Sequence, residues 1–157
     1  MAKDCLDIVE AEMATGKHLV QVGFMRRYDK GYRQVKELVD KKACGESLIL
    51  HCTHRAPEVG ADYDTPQAVT ETMIHEIDVL HWLINDEYES AQVVIPKSTK
   101  NTTPILKDPQ VMMLKTKSGI FIEVEVFVNC RFGYDIECIV VCEEGSIKMP
   151  EPSFPTI

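Results

Sequence analysis

Residues 68–87 contain neither Gly nor Pro, and within them the stretch 71–84, ETMIHEIDVLHWLI, repeats with a helical period. At about 100° of rotation per residue, Met73, Ile77, Leu80 and Ile84 share one face. Glu71, His75, Asp78 and Trp82 share the roughly opposite one, with Ile74, Val79 and Leu83 on its shoulders. A solvated helix face carries Lys, Arg, Gln and Glu in bulk. An imidazole between two carboxylates, with apolar residues on both sides, instead suits the wall of a cavity. Glu71 and His75 are i,i+4 neighbours, within hydrogen-bonding reach on a helix. A carboxylate that orients a histidine builds a general base for neutral pH. The same spacing also serves as a minor helix-stabilising contact. His75-Glu76 opens like the zinc motif H-E-x-x-H, but Val79 stands where the second His belongs, so no metal site is expected.

The 157 residues suit one domain. A chain of this size can bury about 70% of its unfolded surface, enough for a real core. The net charge of −8 argues against nucleic acid and against an anionic membrane surface, since either needs a basic patch. No basic cluster exceeds Arg26-Arg27 and Lys41-Lys42. No apolar run approaches the roughly 18 residues of a membrane-spanning helix. Cys5, Cys44, Cys52, Cys130, Cys138 and Cys142 form no C-x-x-C pair and follow no signal-peptide pattern. They are expected to be reduced thiols of a cytoplasmic protein.

Residues 4–14 read as a helix stopped by Thr15-Gly16-Lys17, and the apolar run 18–24 reads as a buried strand. A helix and strand with no earlier partner read either as the tail of a preceding unit or as a compact domain that starts on a helix. Residues 29–42 read as a second helix with Tyr32, Val35 and Val39 facing inward. Residues 47–54, SLILHCTH, read as a strand that delivers His51 and His54 just ahead of the organising helix. His54, beside Arg55 at the strand end, is the better site candidate. Strands are expected at 91–95, 111–116, 120–128, 136–142 and 146–149, with short links that make sequential strands antiparallel neighbours. Ile120, Ile122, Val124, Val126 and Val128 share one face. The segment 129–135 joins two of these strands. It reads as a hairpin tip or, alternatively, as a holder of Arg131, Tyr134 and Asp135 at the sheet end. Three prolines in 150–155 end the sheet. No G-x-G-x-x-G and no P-loop occurs. The expected fold is α+β: a mostly antiparallel open sheet of about five or six strands, with helices near 4–14, 29–42 and 67–84 on one face. The other face is expected to be apolar and to serve self-association.

Six stretches together resemble one family. VQVGFMRRYD (20–29), HCTHRAP (51–57), HEIDVLHWL (75–83), LKDPQ (106–110), NCRFGYDIEC (129–138) and EEGSIKMPEPS (143–153) resemble the Gfo/Idh/MocA oxidoreductases, and among them the inositol dehydrogenases. The resemblance implies that residues 1–24 are the last helix and strand of a dinucleotide-binding domain. Residues 25–157 would be the substrate and oligomerisation domain of an enzyme that oxidises a secondary hydroxyl of inositol or a related polyol or sugar. NAD or NADP would bind outside this chain, which keeps no cofactor-binding residue. His75 matches the histidine that takes the hydroxyl proton, and Glu71 stands where the family usually has Asp. Arg26, His54 and Tyr134 match residues lining the substrate site, while Ala56 falls where an Asn would hold hydroxyls. Copies of the chain would associate through the sheet face. Two alternatives stay open: another sugar oxidoreductase of the same superfamily, and a non-catalytic oligomerisation or ligand-sensing module.

Overall fold

The computed structural model describes residues 2–150. The element order is α1 (Ala2–Thr15), a 3-10 turn (Met25–Tyr28), α2 (Lys30–Asp40) and β1 (Ser47–Arg55), then a π-helical segment (Ala68–Met73) running straight into α3 (Ile74–Ile84). There follow β2 (Tyr88–Val94), β3 (Gln110–Thr116), β4 (Phe121–Phe127), β5 (Asp135–Cys142) and β6 (Ser146–Lys148). One sheet holds all six strands in the order β2-β3-β4-β1-β5-β6. β1 runs parallel to β4, and the other four neighbouring pairs are antiparallel. The expected α+β class and mostly antiparallel sheet are therefore what the chain builds.

The strands sort their side chains by alternation. Leu50, Cys52 and His54 of β1, Ile122, Val124 and Val126 of β4, and Cys138, Val140 and Cys142 of β5 are all buried. The apolar ones join Tyr32 and Val35 of α2 and Val79, Leu80 and Leu83 of α3 in one core. Each fully buried aliphatic side chain of this kind contributes about 1.5–3 kcal/mol. Asp29 caps α2 by accepting from the Tyr32 N–H at 3.0 Å, which turns Tyr32 inward.

Four expectations are corrected. The apolar row of β4 is not the uncovered face: Ile122, Val124 and Val126 are 0% exposed, inside the same chain's core. A sheet covered on one side packs its most apolar row against that cover. The open side of β4 instead carries Phe121, Glu123, Glu125 and Phe127, with Arg55 bridging Glu125 and Asp135. The second correction concerns 129–135, which is no hairpin tip. β1 lies between β4 and β5, so this segment crosses over the end of β1.

The third concerns 18–24, which forms no strand. Leu19, Val20 and Val22 are exposed, and no described residue offers that run a strand partner. Apolar β-branched sequence becomes a strand only where a sheet edge receives it. The fourth concerns α1, which does not cover the sheet: its Leu6, Ile8, Val9 and Met13 are exposed, and the helical core residues come from α2, α3 and the π-helical segment before α3. The proline-rich tail beyond Pro150 lies outside the described residues. No described helix is long and apolar enough to cross a membrane.

Candidate functional site

Four pieces of backbone deliver side chains to one place. The alternation of β1 turns His54 inward at the strand end. In the 3-10 turn, consecutive arginines diverge: Arg26 is buried and reaches Glu76, while Arg27 reaches Asp78. The two acceptors stand two residues apart on α3, so one helix receives both guanidinium groups. α3 also brings His75, whose ring centroid lies 6.4 Å from that of His54. The crossing segment brings Tyr134, whose ring meets His54 edge-on at 5.8 Å and 83°. Arg26, His54, His75 and Tyr134, separated widely in sequence, thus converge.

The crossing segment is pinned at its start. Asp108, 1% exposed, accepts from the Val128 N–H at 3.0 Å and the Asn129 N–H at 2.9 Å. The Cys130 and Arg131 N–H groups donate to the Ala56 and Pro57 carbonyls, tying the segment to the continuation of β1. Arg131 and Gly133 take positive φ values of 67° and 127°, and a Cβ at Gly133 would meet nothing within 4 Å. Glycine is needed there for backbone conformation, not for space.

The electrostatics favour neutral rings. Burial first, then the Arg26 charge and His75, hold the His54 pKa down at about 3. Burial and Arg26 likewise lower His75, against the opposing pull of Asp78. An imidazolium at His54 would pair with Glu76, whose Oε2 lies 3.1 Å from Nδ1. Burial and Arg26 outweigh that contact, so it joins a neutral ring to a carboxylate. His75 presents a neutral ring as well, with its Nδ1 buried and without a hydrogen-bond partner among the described residues.

Glu71 does not make the expected bond. Its carboxylate is exposed and accepts from Gln67 Nε2 at 2.8 Å, and no described group bonds His75 Nδ1. Glu71 has a neighbour four residues away on each side, Gln67 and His75, and its carboxylate takes Gln67, at the start of the π-helical segment Ala68–Met73. Asp64 and Gln67 bond each other through N–H and side-chain oxygen in both directions. Tyr63 hydroxyl contacts to the Gln67 carbonyl and to Thr72 fix the same segment.

The buried arc of α3 is also rotated from the expected one, to Glu76, Val79, Leu80 and Leu83. Sequence reasoning missed Glu76, which is 1% exposed. Its signal was available: the 73-76-80-83 spacing is helical, and an acid on an otherwise apolar stripe needs a buried cation. Asp108 was missed because its partners come from the far end of β4. A cavity of about 540 Å³ on α2, lined in part by Lys30, Arg33, Lys36 and Trp82, shares no residue with this cluster. Among the described residues no group of three or more His, Cys, Asp and Glu is placed to hold a metal.

Comparison with known proteins bears on this arrangement. The family model described as the GFO/IDH/MocA C-terminal domain matches residues 32–148. An inositol 2-dehydrogenase of Pseudomonas savastanoi pv. phaseolicola is 57% identical over 97% of this chain and 45% of that protein. An inositol 2-dehydrogenase/D-chiro-inositol 3-dehydrogenase of Halalkalibacterium halodurans is 57% identical over 96% of the chain and 43% of that protein. Among solved structures, the myo-inositol dehydrogenase of Lactobacillus casei in complex with NAD(H) and myo-inositol superposes with a TM-score of 0.90. It is 39% identical over 96% of this chain and 45% of that one. The chain therefore spans about half the length of the curated relatives it matches.

Proposed function

The chain belongs to the C-terminal domain family of GFO/IDH/MocA proteins, and from that premise we propose that it is the substrate-binding part of an NAD(P)-dependent dehydrogenase that oxidises a secondary hydroxyl of inositol or a related polyol. One observation carries the reading: two neutral histidines and a buried arginine converge beside an exposed tyrosine on an open surface. Neutral His75 accepts the hydroxyl proton while the carbon–oxygen double bond forms and hydride leaves the same carbon. Tyr134 and His54 meet the remaining hydroxyls, and Arg26, nearly sealed, acts through His54.

Glu71 enters as a positioning residue. The orphaned Nδ1 of His75 is the partner its carboxylate gains on leaving Gln67, and that bond sets the His75 tautomer.

The dinucleotide, when bound, supplies the hydride acceptor. The described residues do not fit it, because a pyrophosphate needs a glycine-rich turn at a helix N-terminus. At Gly31, the glycine near the start of α2, an added Cβ would meet Asp29 Oδ1 at 3.1 Å and the side chain of Met149 at 3.4 Å, so the space there is already taken by this chain's own side chains. In this reading residues 1–24 are the last helix and strand of the dinucleotide-binding domain, and the exposure of Leu19, Val20 and Val22 supports that: a strand continuing a parallel sheet is apolar on both faces. Residues 25–157 are the substrate domain. Free thiols at all six cysteines suit a cytoplasmic setting. Self-association through the open sheet face stays within the proposal, across Phe121, Phe127 and the Arg55 ion pairs.

The test uses the full-length protein that carries this chain. His75→Asn is expected to lower kcat at least about a hundredfold, the lower end of what a placed proton acceptor contributes. NAD affinity should move far less. Unchanged turnover would remove His75 from the reaction, and Glu71→Ala with turnover intact on every active polyol would remove Glu71.

A further inference from the structure

The Glu76 carboxylate, on the residue after His75, touches no open surface. Its Oε1 accepts from Arg26 Nη1, and its Oε2 lies 3.1 Å from His54 Nδ1. Arg26 Nη2 lies 3.0 Å from that same Nδ1. A neutral imidazole nitrogen is either a donor or an acceptor, so it serves one of these neighbours and not both. The alternatives differ in what they leave stranded. Arg26 has five N–H donors and also lies against the Tyr32 phenol. Glu76 Oε2 has no donor other than His54 among the described residues. A buried charged oxygen without a donor is the costlier orphan.

We infer that Glu76 is a positioning residue that holds the proton of His54 on Nδ1, so that the bare Nε2 of His54 accepts a hydrogen bond from a substrate hydroxyl. His54 Nε2 makes no hydrogen bond within the described residues, and its ring stands between those of His75 and Tyr134. The inference rests on the proposal that this cluster holds a polyol, and it narrows that proposal. The hydroxyl beside His54 must donate, so a free hydroxyl is taken there and a methyl ether is refused.

Glu76→Gln reverses the polarity with little change of shape. Arg26 Nη1 holds the carboxamide oxygen on its own side, which turns the carboxamide NH₂ toward Nδ1. Nδ1 then accepts, and the His54 proton moves to Nε2.

The experiment is ¹⁵N NMR of full-length protein labelled at histidine, with His54 assigned through His54→Asn, joined to steady-state kinetics on inositol and its mono-O-methyl ethers. The expected wild-type signature is Nδ1–H for His54, and Glu76→Gln should show Nε2–H. That variant should raise KM for inositol about tenfold or more with kcat changed less than threefold, and should narrow the gap between inositol and the one ether methylated beside His54. Glu76→Asp, which keeps the charge, should keep the Nδ1–H tautomer. A wild-type His54 carrying its proton on Nε2 overturns the inference even if Glu76→Gln fails to fold. An unaltered tautomer in a folded Glu76→Gln overturns it too. Absence of any polyol oxidation by the wild type sinks the proposed function instead, and the tautomer assignment is still read from the spectra.

Discussion

Removing the Asp108 carboxylate should loosen the site without touching it. Asp108→Ala strands the N–H groups of Val128 and Asn129, which lose acceptors at 3.0 and 2.9 Å in residues 1% and 4% exposed. Each buried N–H left without a partner costs about 1–3 kcal/mol. Burial pushes the Asp108 carboxyl up from its ordinary range, against the pull of these hydrogen bonds, so its removal also relieves a desolvation penalty. The two losses together span about 2–6 kcal/mol, and the relieved penalty brings the net to the lower half of that span, about 3 kcal/mol. With a urea slope of about 2 kcal/mol per molar for a small protein, the unfolding midpoint falls by about 1.5 M. The single tryptophan, Trp82, packs against the core and reports the transition by fluorescence. Asp108→Asn keeps one acceptor oxygen and should lose roughly half as much. In the full-length protein the freed crossing segment carries Tyr134 with it, so KM for polyol should rise while proton transfer at His75 persists. A midpoint within about 0.3 M of wild type, with KM unchanged, would refute the view that Asp108 anchors the crossing.

Three further outcomes follow from the site electrostatics. His54 is held neutral in the fold, so its contribution is complete above the unfolded value of about 6.5 and is lost as pH falls toward about 3. Stability should drop by at most about 1.4 kcal/mol per pH unit across that window, and His54→Gln should flatten the urea midpoints measured there. His75 is also lowered, so the acid limb of kcat/KM should fall below the ordinary histidine value, and Asp78→Asn should push it lower still because Asp78 opposes the shift. Calorimetry on the 157-residue chain should show no NAD binding, since its described glycines build no phosphate cradle; micromolar binding would contradict the division at residue 24.

Where local pattern and tertiary need agree, the sequence speaks clearly. The alternation in 121–127 is strong enough to predict both a strand and its two faces. It does not say which face is covered, because that depends on where α2 and α3 land. Nor does a seven-residue link say whether two strands are neighbours. β1, from much earlier in the chain, inserts between β4 and β5 and makes the only parallel pair with β4 among the described strands. That insertion is a non-local fact, and it is also what brings Tyr134 over His54. The run 18–24 fails for the complementary reason: its apolar pattern states what it would do beside a partner strand, and none of the described residues supplies one.

The site shows the same division at finer scale. His75 stood out in the sequence as a histidine between acids with apolar shoulders, although the same spacing also serves a minor helix contact, and the fold brings its ring centroid to 6.4 Å from that of His54. The bond to Glu71 that the spacing suggested is not made in this structure. Helical spacing sets Glu71 between Gln67 and His75, four residues away on either side; it bonds Gln67, which the Asp64 and Tyr63 contacts hold in place. The orphaned Nδ1 of His75 then becomes informative. A buried ring nitrogen without a partner is costly, so the arrangement is poised to gain an acceptor, and the nearest carboxylate in sequence that is not already buried in an ion pair is the one Gln67 holds. Glu76 illustrates the converse. It looked like half of a metal motif, yet on the buried arc of α3 a lone acid is tolerable only if a cation and a second donor meet it there. Arg26 supplies the first. The demand for the second places the proton of His54, and with it the kind of hydroxyl the site can accept.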